Sequence, residues 1–129
     1  MNVSPSEPVP ADVLVVDDTP ENLRLLATIL VKEGYNVRKA LNGTMALTAV
    51  QTVQPDLILL DIGLPTLDGI EVARQVRKLS PESKIVFLSQ ESSAEVVEEA
   101  LNTGACGYVV KARAASELLR ALDSAMLRR

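Results

Sequence analysis

Four groups of reactive or charged side chains stand where aliphatic runs end. Asp17 and Asp18 follow Val13-Leu14-Val15-Val16, Asp61 follows Leu57-Ile58-Leu59-Leu60, Ser89 follows Ile85-Val86-Phe87-Leu88, and Lys111 follows Tyr108-Val109-Val110. Aspartate is depleted in strands and rarely buried without a partner, so a carboxylate closing a buried strand needs a reason. Taken singly, each residue has a duller reading: Asp61 as a turn initiator, Asp17 or Asp18 as a helix cap, Ser89 as a turn residue, Lys111 as a solvated charge. Taken together they make one chemistry. Three close carboxylates repel and raise one another's pKa unless a cation compensates. Magnesium, which prefers an octahedral shell of oxygens and keeps several waters, suits such a set. A carboxylate beside such an ion is a competent nucleophile for aspartyl phosphate. The serine hydroxyl and the lysine ammonium then supply a donor and a positive charge for phosphoryl oxygens.

Composition narrows the alternatives. The chain has no histidine, hence no imidazole metal ligand, no Ser-His triad and no phosphohistidine of its own. Its single cysteine, Cys106, permits neither an intramolecular disulfide nor a cysteine metal site, and between Ala105 and Gly107 it reads as a small buried hydrophobe. A formal charge of -4 with scattered basic residues argues against a direct grip on duplex DNA. No apolar run approaches the length of a membrane span, and the first residues lack the pattern of a signal peptide, so a cytosolic location without membrane contact is expected. At 129 residues the chain fits one domain. Residues 1–10, rich in proline and poor in large apolar side chains, are expected to form a flexible tail, with the folded domain over 11–129.

The elements that must position these residues alternate. Val13 to Val16 reads as a strand buried on both faces, and Thr19-Pro20-Glu21 then opens a helix with a cap candidate, a first-turn proline and an acidic residue. That helix carries a stripe of Leu23, Leu26 and Leu30, with Leu25 and Ile29 beside it, and stops at Gly34. Tyr35 to Ala40 reads as a second strand whose end offers no chemistry, and Gly43 begins a second helix that ends before Pro55. The strand carrying Asp61 comes next. Asp68-Gly69 caps a third helix, Lys84 to Leu88 is a fourth strand, residues 94–103 form a fourth helix that stops at Gly104, and Gly107 to Val110 is the fifth strand. A last helix over about 114–127 buries Leu118, Leu119, Leu122, Ala125 and Met126. Glu95, Glu98 and Glu99 read as a solvated helix face. Five strand-helix units argue an α/β fold with an open, doubly wound parallel sheet, whose ligand crevice lies outside the carboxyl ends of the strands.

An acidic pair after the first strand, Asp61 after the third, Ser89 after the fourth and Lys111 after the fifth resemble the receiver domain of two-component response regulators, over about residues 12–127. The resemblance implies a flavodoxin-like sheet of strand order 2-1-3-4-5 with five helices. It implies that Asp61 accepts a phosphoryl group, that Asp17, Asp18, Asp61 and the Gly63 carbonyl hold Mg2+, and that Ser89 and Lys111 bind phosphoryl oxygens. Tyr108 matches the switch aromatic, relaying the change to the face of the fourth helix, fifth strand and fifth helix. The implied partners are a sensor histidine kinase or phosphotransfer protein, and an effector domain or a second copy. The implied chemistry is confined to the domain's own phosphorylation and dephosphorylation.

Leu64-Pro65 and Asp68-Gly69 match the loop after the acceptor, but two positions depart from the family pattern. Ala112 follows the lysine where proline, often cis, is usual; a non-proline cis bond costs roughly 3 kcal/mol, so a trans bond or a differently shaped loop is expected. Gly63 replaces a longer or polar residue, which bears on phosphoryl lifetime. The stretch to Leu60 resembles receivers joined to sensor kinases, whereas Gly69 to Leu122 resembles those preceding helix-turn-helix domains, as recombination or divergence would produce. Two other readings use the same residues: a haloacid-dehalogenase-like phosphatase and a degenerate interaction domain. The first wants an aspartate where Gly63 stands, and a nucleophile on the first strand.

Overall fold

The computed structural model describes residues 10–64, 68–90 and 93–127. Continuous aliphatic runs form strands here because both faces of the sheet are covered. The order is β1 (Asp12–Val16), α1 (Pro20–Lys32), β2 (Asn36–Ala40), α2 (Gly43–Thr52), β3 (Leu57–Asp61), α3 (Gly69–Leu79), β4 (Lys84–Ser89), α4 (Ala94–Leu101), β5 (Gly107–Val110) and α5 (Ala114–Leu127). All strand pairs are parallel and the sheet order is β2-β1-β3-β4-β5. The expected flavodoxin-like α/β arrangement is therefore the one formed. The tail expected over residues 1–10 lies outside the described residues except for Pro10, as does Pro65 of the loop after the acceptor.

Alternation along the strands divides the core. Leu14, Val16, Ile58, Leu60, Ile85 and Phe87 pack on one face against Ala46 and Val50 of α2, Val72, Ala73 and Val76 of α3, and Ala100 of α4. Val13, Val15, Leu57, Leu59, Val86, Leu88 and Val109 pack on the other against Leu23, Leu26 and Leu30 of α1 and Leu118, Leu122 and Ala125 of α5. Full burial of a Val, Leu or Ile side chain contributes about 1.5–3 kcal/mol, so these two layers dominate stability.

Local chemistry sets the helix ends. Asn42, Asp68 and Ser93 accept from the backbone amides of Met45, Glu71 and Val96, satisfying donors that an N-terminus leaves open. Gly34 and Gly104 adopt φ of +94°, the left-handed conformation that ends α1 and the turn after α4. Arg38 on β2 pairs bidentately with Asp12 at 3.1 and 2.8 Å while donating to the Ala49 and Val53 carbonyls, fastening the end of α2 to the sheet.

Several expectations are corrected. Thr19 occupies the cap position of α1 but its side chain makes no cap hydrogen bond, while its amide donates to Asp17 Oδ1 at 2.9 Å. Leu25 at 61% exposure and Met126 at 39% lie off their helices' buried stripes, and α4 buries only Ala100, ending at Leu101. Cys106 is half-buried against the α1–α5 layer instead of enclosed. No cis peptide occurs among the described residues, so the bond before Ala112 is trans as expected, and Lys111–Arg113 forms a single 3-10 turn.

Candidate functional site

The parallel register assembles the site. Val16 pairs with Leu60, so Asp17 and Asp61 come next on the two central strands, and Ser89 pairs with Val110, leaving Lys111 just beyond it. Asp17, Asp18 and Asp61 offer carboxylate oxygens that all lie within 4.8 Å of one another. Asp17 is fully buried, Asp61 is 4% exposed, and Asp18 faces solvent. Lys111 reaches over from the end of β5: its Nζ lies 3.1 Å from Asp61 Oδ2 and 3.2 Å from Asp17 Oδ2. The Gly63 amide donates to Asp61 Oδ1 at 3.0 Å. Both Asp61 carboxylate oxygens are thus engaged.

These contacts explain the electrostatics. Burial is the largest influence on Asp61 and raises its pKa; the Gly63 amide and Lys111 lower it, the Asp17 charge raises it, and the net effect is upward. Desolvation opposes the charge of Lys111, but the hydrogen bond to Asp61 and the charges of Asp61 and Asp17 outweigh it, so the ammonium is held above its usual pKa. Asp17 Oδ2 is buried, and although it forms the ion pair with Lys111 it makes no hydrogen bond. An under-satisfied buried oxygen among three carboxylates, with oxygen donors only, fits a hard divalent cation.

Asp18, Asp61, Gly63, Ser89 and Lys111 share one cleft of about 390 Å³ with four other residues, whereas the fully buried Asp17 is not part of its lining. Tyr108 does not line it. It lies half-buried on β5, paired with Phe87 and packed against the α2–α4 face of the core. Because side chains alternate along a strand, Ser89 and Tyr108 fall on the same face of adjacent strands. Of the contributors that escape the sequence reading, three stand out. Gln90 and Val96 also line the cleft, and Gln90 was findable as the next residue after Ser89. Gly69 is the third: a Cβ there would overlap the Asp61 carbonyl oxygen and lie 2.7 Å from Ile62 Cα. The sequence marks it only as a helix start. Its bare backbone lets α3 begin directly against the backbone of Asp61 and Ile62, with the Gly69 amide donating to the Ile62 carbonyl at 3.0 Å. At Gly63, by contrast, an added Cβ would meet only Asp61 Oδ1, at 3.6 Å.

Comparison with known proteins is consistent across sequence and structure. The family model of the response regulator receiver domain matches residues 13–123. The transcriptional activator protein ExaE of Pseudomonas putida is 37% identical over 113 residues, covering 85% of this chain and 52% of that protein. Chemotaxis protein CheY4 of Vibrio cholerae superimposes with a TM-score of 0.85 at 32% identity, covering 91% of this chain and 99% of the other. A response regulator from Burkholderia pseudomallei, solved with a phosphorylated aspartic acid, calcium ion and citrate, gives a TM-score of 0.81 at 28% identity, covering 87% and 66% respectively. The chain spans about half the length of ExaE and of a putative transcriptional regulator of Pseudomonas aeruginosa, and about a quarter of the transcriptional regulatory protein ZraR of Escherichia coli.

Proposed function

The chain belongs to the response regulator receiver domain family, and on that premise we propose that residues 11–129 are a cytoplasmic signalling switch set by phosphorylation of Asp61. The observation that carries this reading is the pair of engagements on Asp61: one carboxylate oxygen accepts from the Gly63 amide and the other from Lys111. The carboxylate is thereby oriented into the cleft, beside two further carboxylates and a hydroxyl. Asp17, Asp18 and Asp61, with the Gly63 carbonyl, would hold Mg2+, which when bound stabilises negative charge on the phosphoryl oxygens. The related Burkholderia protein carries both a phosphorylated aspartic acid and a calcium ion.

In the transfer, an Asp61 carboxylate oxygen forms a bond to phosphorus as the bond to a donor histidine nitrogen breaks. Lys111 then exchanges its contact with Asp61 Oδ2 for a phosphoryl oxygen, and Ser89 donates to another. Movement of Ser89 is read by Tyr108 on the same sheet face, and the change is displayed on α4, β5 and α5. The donor is a sensor histidine kinase or phosphotransfer protein; the receiver is an effector domain or a second copy. Catalysis extends only to the domain's own phosphorylation and dephosphorylation.

Incubation with acetyl phosphate and Mg2+ followed by intact-mass measurement tests this. One phosphoryl group is expected on the wild type and none on Asp61→Asn. A label that persists in Asp61→Asn, or no label on the wild type, overturns the assignment.

A further inference from the structure

Among the strands bordering the cleft's end of the sheet, β2 alone gives it no reactive side chain: it ends in the buried Ala40. Immediately beyond Ala40 lies an exposed apolar patch. Leu41 is 40% and Met45 45% exposed, and with Pro20, Leu23, Arg24 and Lys39 they line a hollow of about 340 Å³. Its geometry is fixed from beneath. Asn42 accepts from the Met45 amide at 2.8 Å, holding Met45 on the first turn of α2. The Ala40 carbonyl accepts from the Asp17 amide at 3.1 Å, tying this corner to the acidic site. Pro20, one of its lining residues, is the next residue after Thr19, which lines the Asp61 cleft.

The charge of the hollow is opposite to that of the chain. Arg24 and Lys39 are its charged members, no carboxylate lines it, and neither cation joins an ion pair among the described residues, in a chain of formal charge -4. A flexible methionine beside leucine, rimmed by two cations, suits the apolar face of a helix flanked by carboxylates. We infer that this β2–α2 corner is a docking surface for the protein that delivers the phosphoryl group, which seats an acidic amphipathic helix there. The inference rests on Asp61 being the acceptor. Transfer requires donor and acceptor atoms to be held about 3–3.5 Å apart, so a surface contiguous with the cleft is where binding energy becomes rate.

The test compares two phosphodonors on the same variants. Each histidine kinase and phosphotransfer protein encoded by the source organism is purified, phosphorylated, and profiled for transfer to the wild type; the fastest becomes the probe. Leu41→Asp/Met45→Asp and Arg24→Glu/Lys39→Glu are expected to lower kcat/KM for transfer from that protein by about tenfold or more, while labelling by acetyl phosphate stays near the wild-type rate. Transfer to the wild type is also expected to slow with added salt. Protein-donor rates unchanged in both variants, or the absence of any protein donor, overturn the docking surface. Should the double aspartate variant lose acetyl phosphate labelling as well, Met45→Lys, on an exposed position, carries the same comparison. Failure of acetyl phosphate to label the wild type instead overturns the acceptor assignment.

Discussion

The Asp61 carboxylate is held at a cost to the fold. Burial lifts the Asp61 pKa above the usual carboxylate value, and the Gly63 amide and Lys111 offset this only in part. The folded state therefore holds this proton more tightly than the unfolded chain. The stability it contributes is complete below the unfolded pKa, about 4, and is lost as pH rises through the higher folded value. At neutral pH the ionised group opposes folding. Asp61→Asn, which keeps the shape and removes the charge, is expected to melt a few degrees above the wild type at pH 7 in EDTA, with the gap closing toward pH 4. Differential scanning calorimetry across that range checks it, and a variant that melts below the wild type at pH 7 refutes it. The sequence exposed the identity of this residue because an aspartate ending an aliphatic run contradicts strand composition. It could not expose the direct pairing of Lys111 with both Asp17 and Asp61, since contacts between residues so distant along the chain are set by sheet order and loop shape.

Elements differ sharply in how firmly they are held. Helix α3 buries Ile70, Val72, Ala73 and Val76, whereas α4 buries only Ala100. At about 0.8 kcal/mol per buried CH2 the difference amounts to several kcal/mol of anchorage. Amides of α4 are therefore expected to exchange with deuterium through local opening at least tenfold faster than those of α3, whose protection approaches the global limit. Hydrogen-exchange mass spectrometry reads both helices at once, and equal protection would contradict the packing argument. The loosely held helix borders the cleft through Val96, which is where a switch needs an element able to move. Helical periodicity revealed that α4 exists. It overstated the buried face, because Val96, Val97 and Leu101 satisfy an apolar spacing that the sheet edge does not fully cover. The succession of strands and helices was legible for the converse reason: uninterrupted aliphatic strands alternating with helices call for a parallel sheet covered on both faces, whereas the strand order came only with the resemblance to receiver domains.

At the scale of the whole molecule, the carboxyl edge of the sheet is a concentration of charge that the fold alone does not balance. Asp17, Asp18 and Asp61 bring three negative charges, and Lys111 returns one positive, leaving two negative charges within one small cluster. A divalent cation would neutralise that remainder. Since β1 and β3 are central strands of the sheet and carry these residues at their ends, an ion there ties together loops from the most buried part of the fold. Binding to the folded state alone stabilises it by RT ln(1 + [Mg2+]/Kd), about 2.7 kcal/mol at a hundredfold excess over Kd. The wild type is therefore expected to gain several degrees in Tm on titration with MgCl2, in a manner reversed by EDTA and not reproduced by equal ionic strength of NaCl. Asp17→Asn should lose most of that gain. Its fully buried Oδ2 is the oxygen that lacks a hydrogen bond, and an amide there offers the ion no charge. A magnesium response of equal size in Asp17→Asn would place the cation elsewhere and remove the electrostatic basis for phosphoryl transfer onto Asp61.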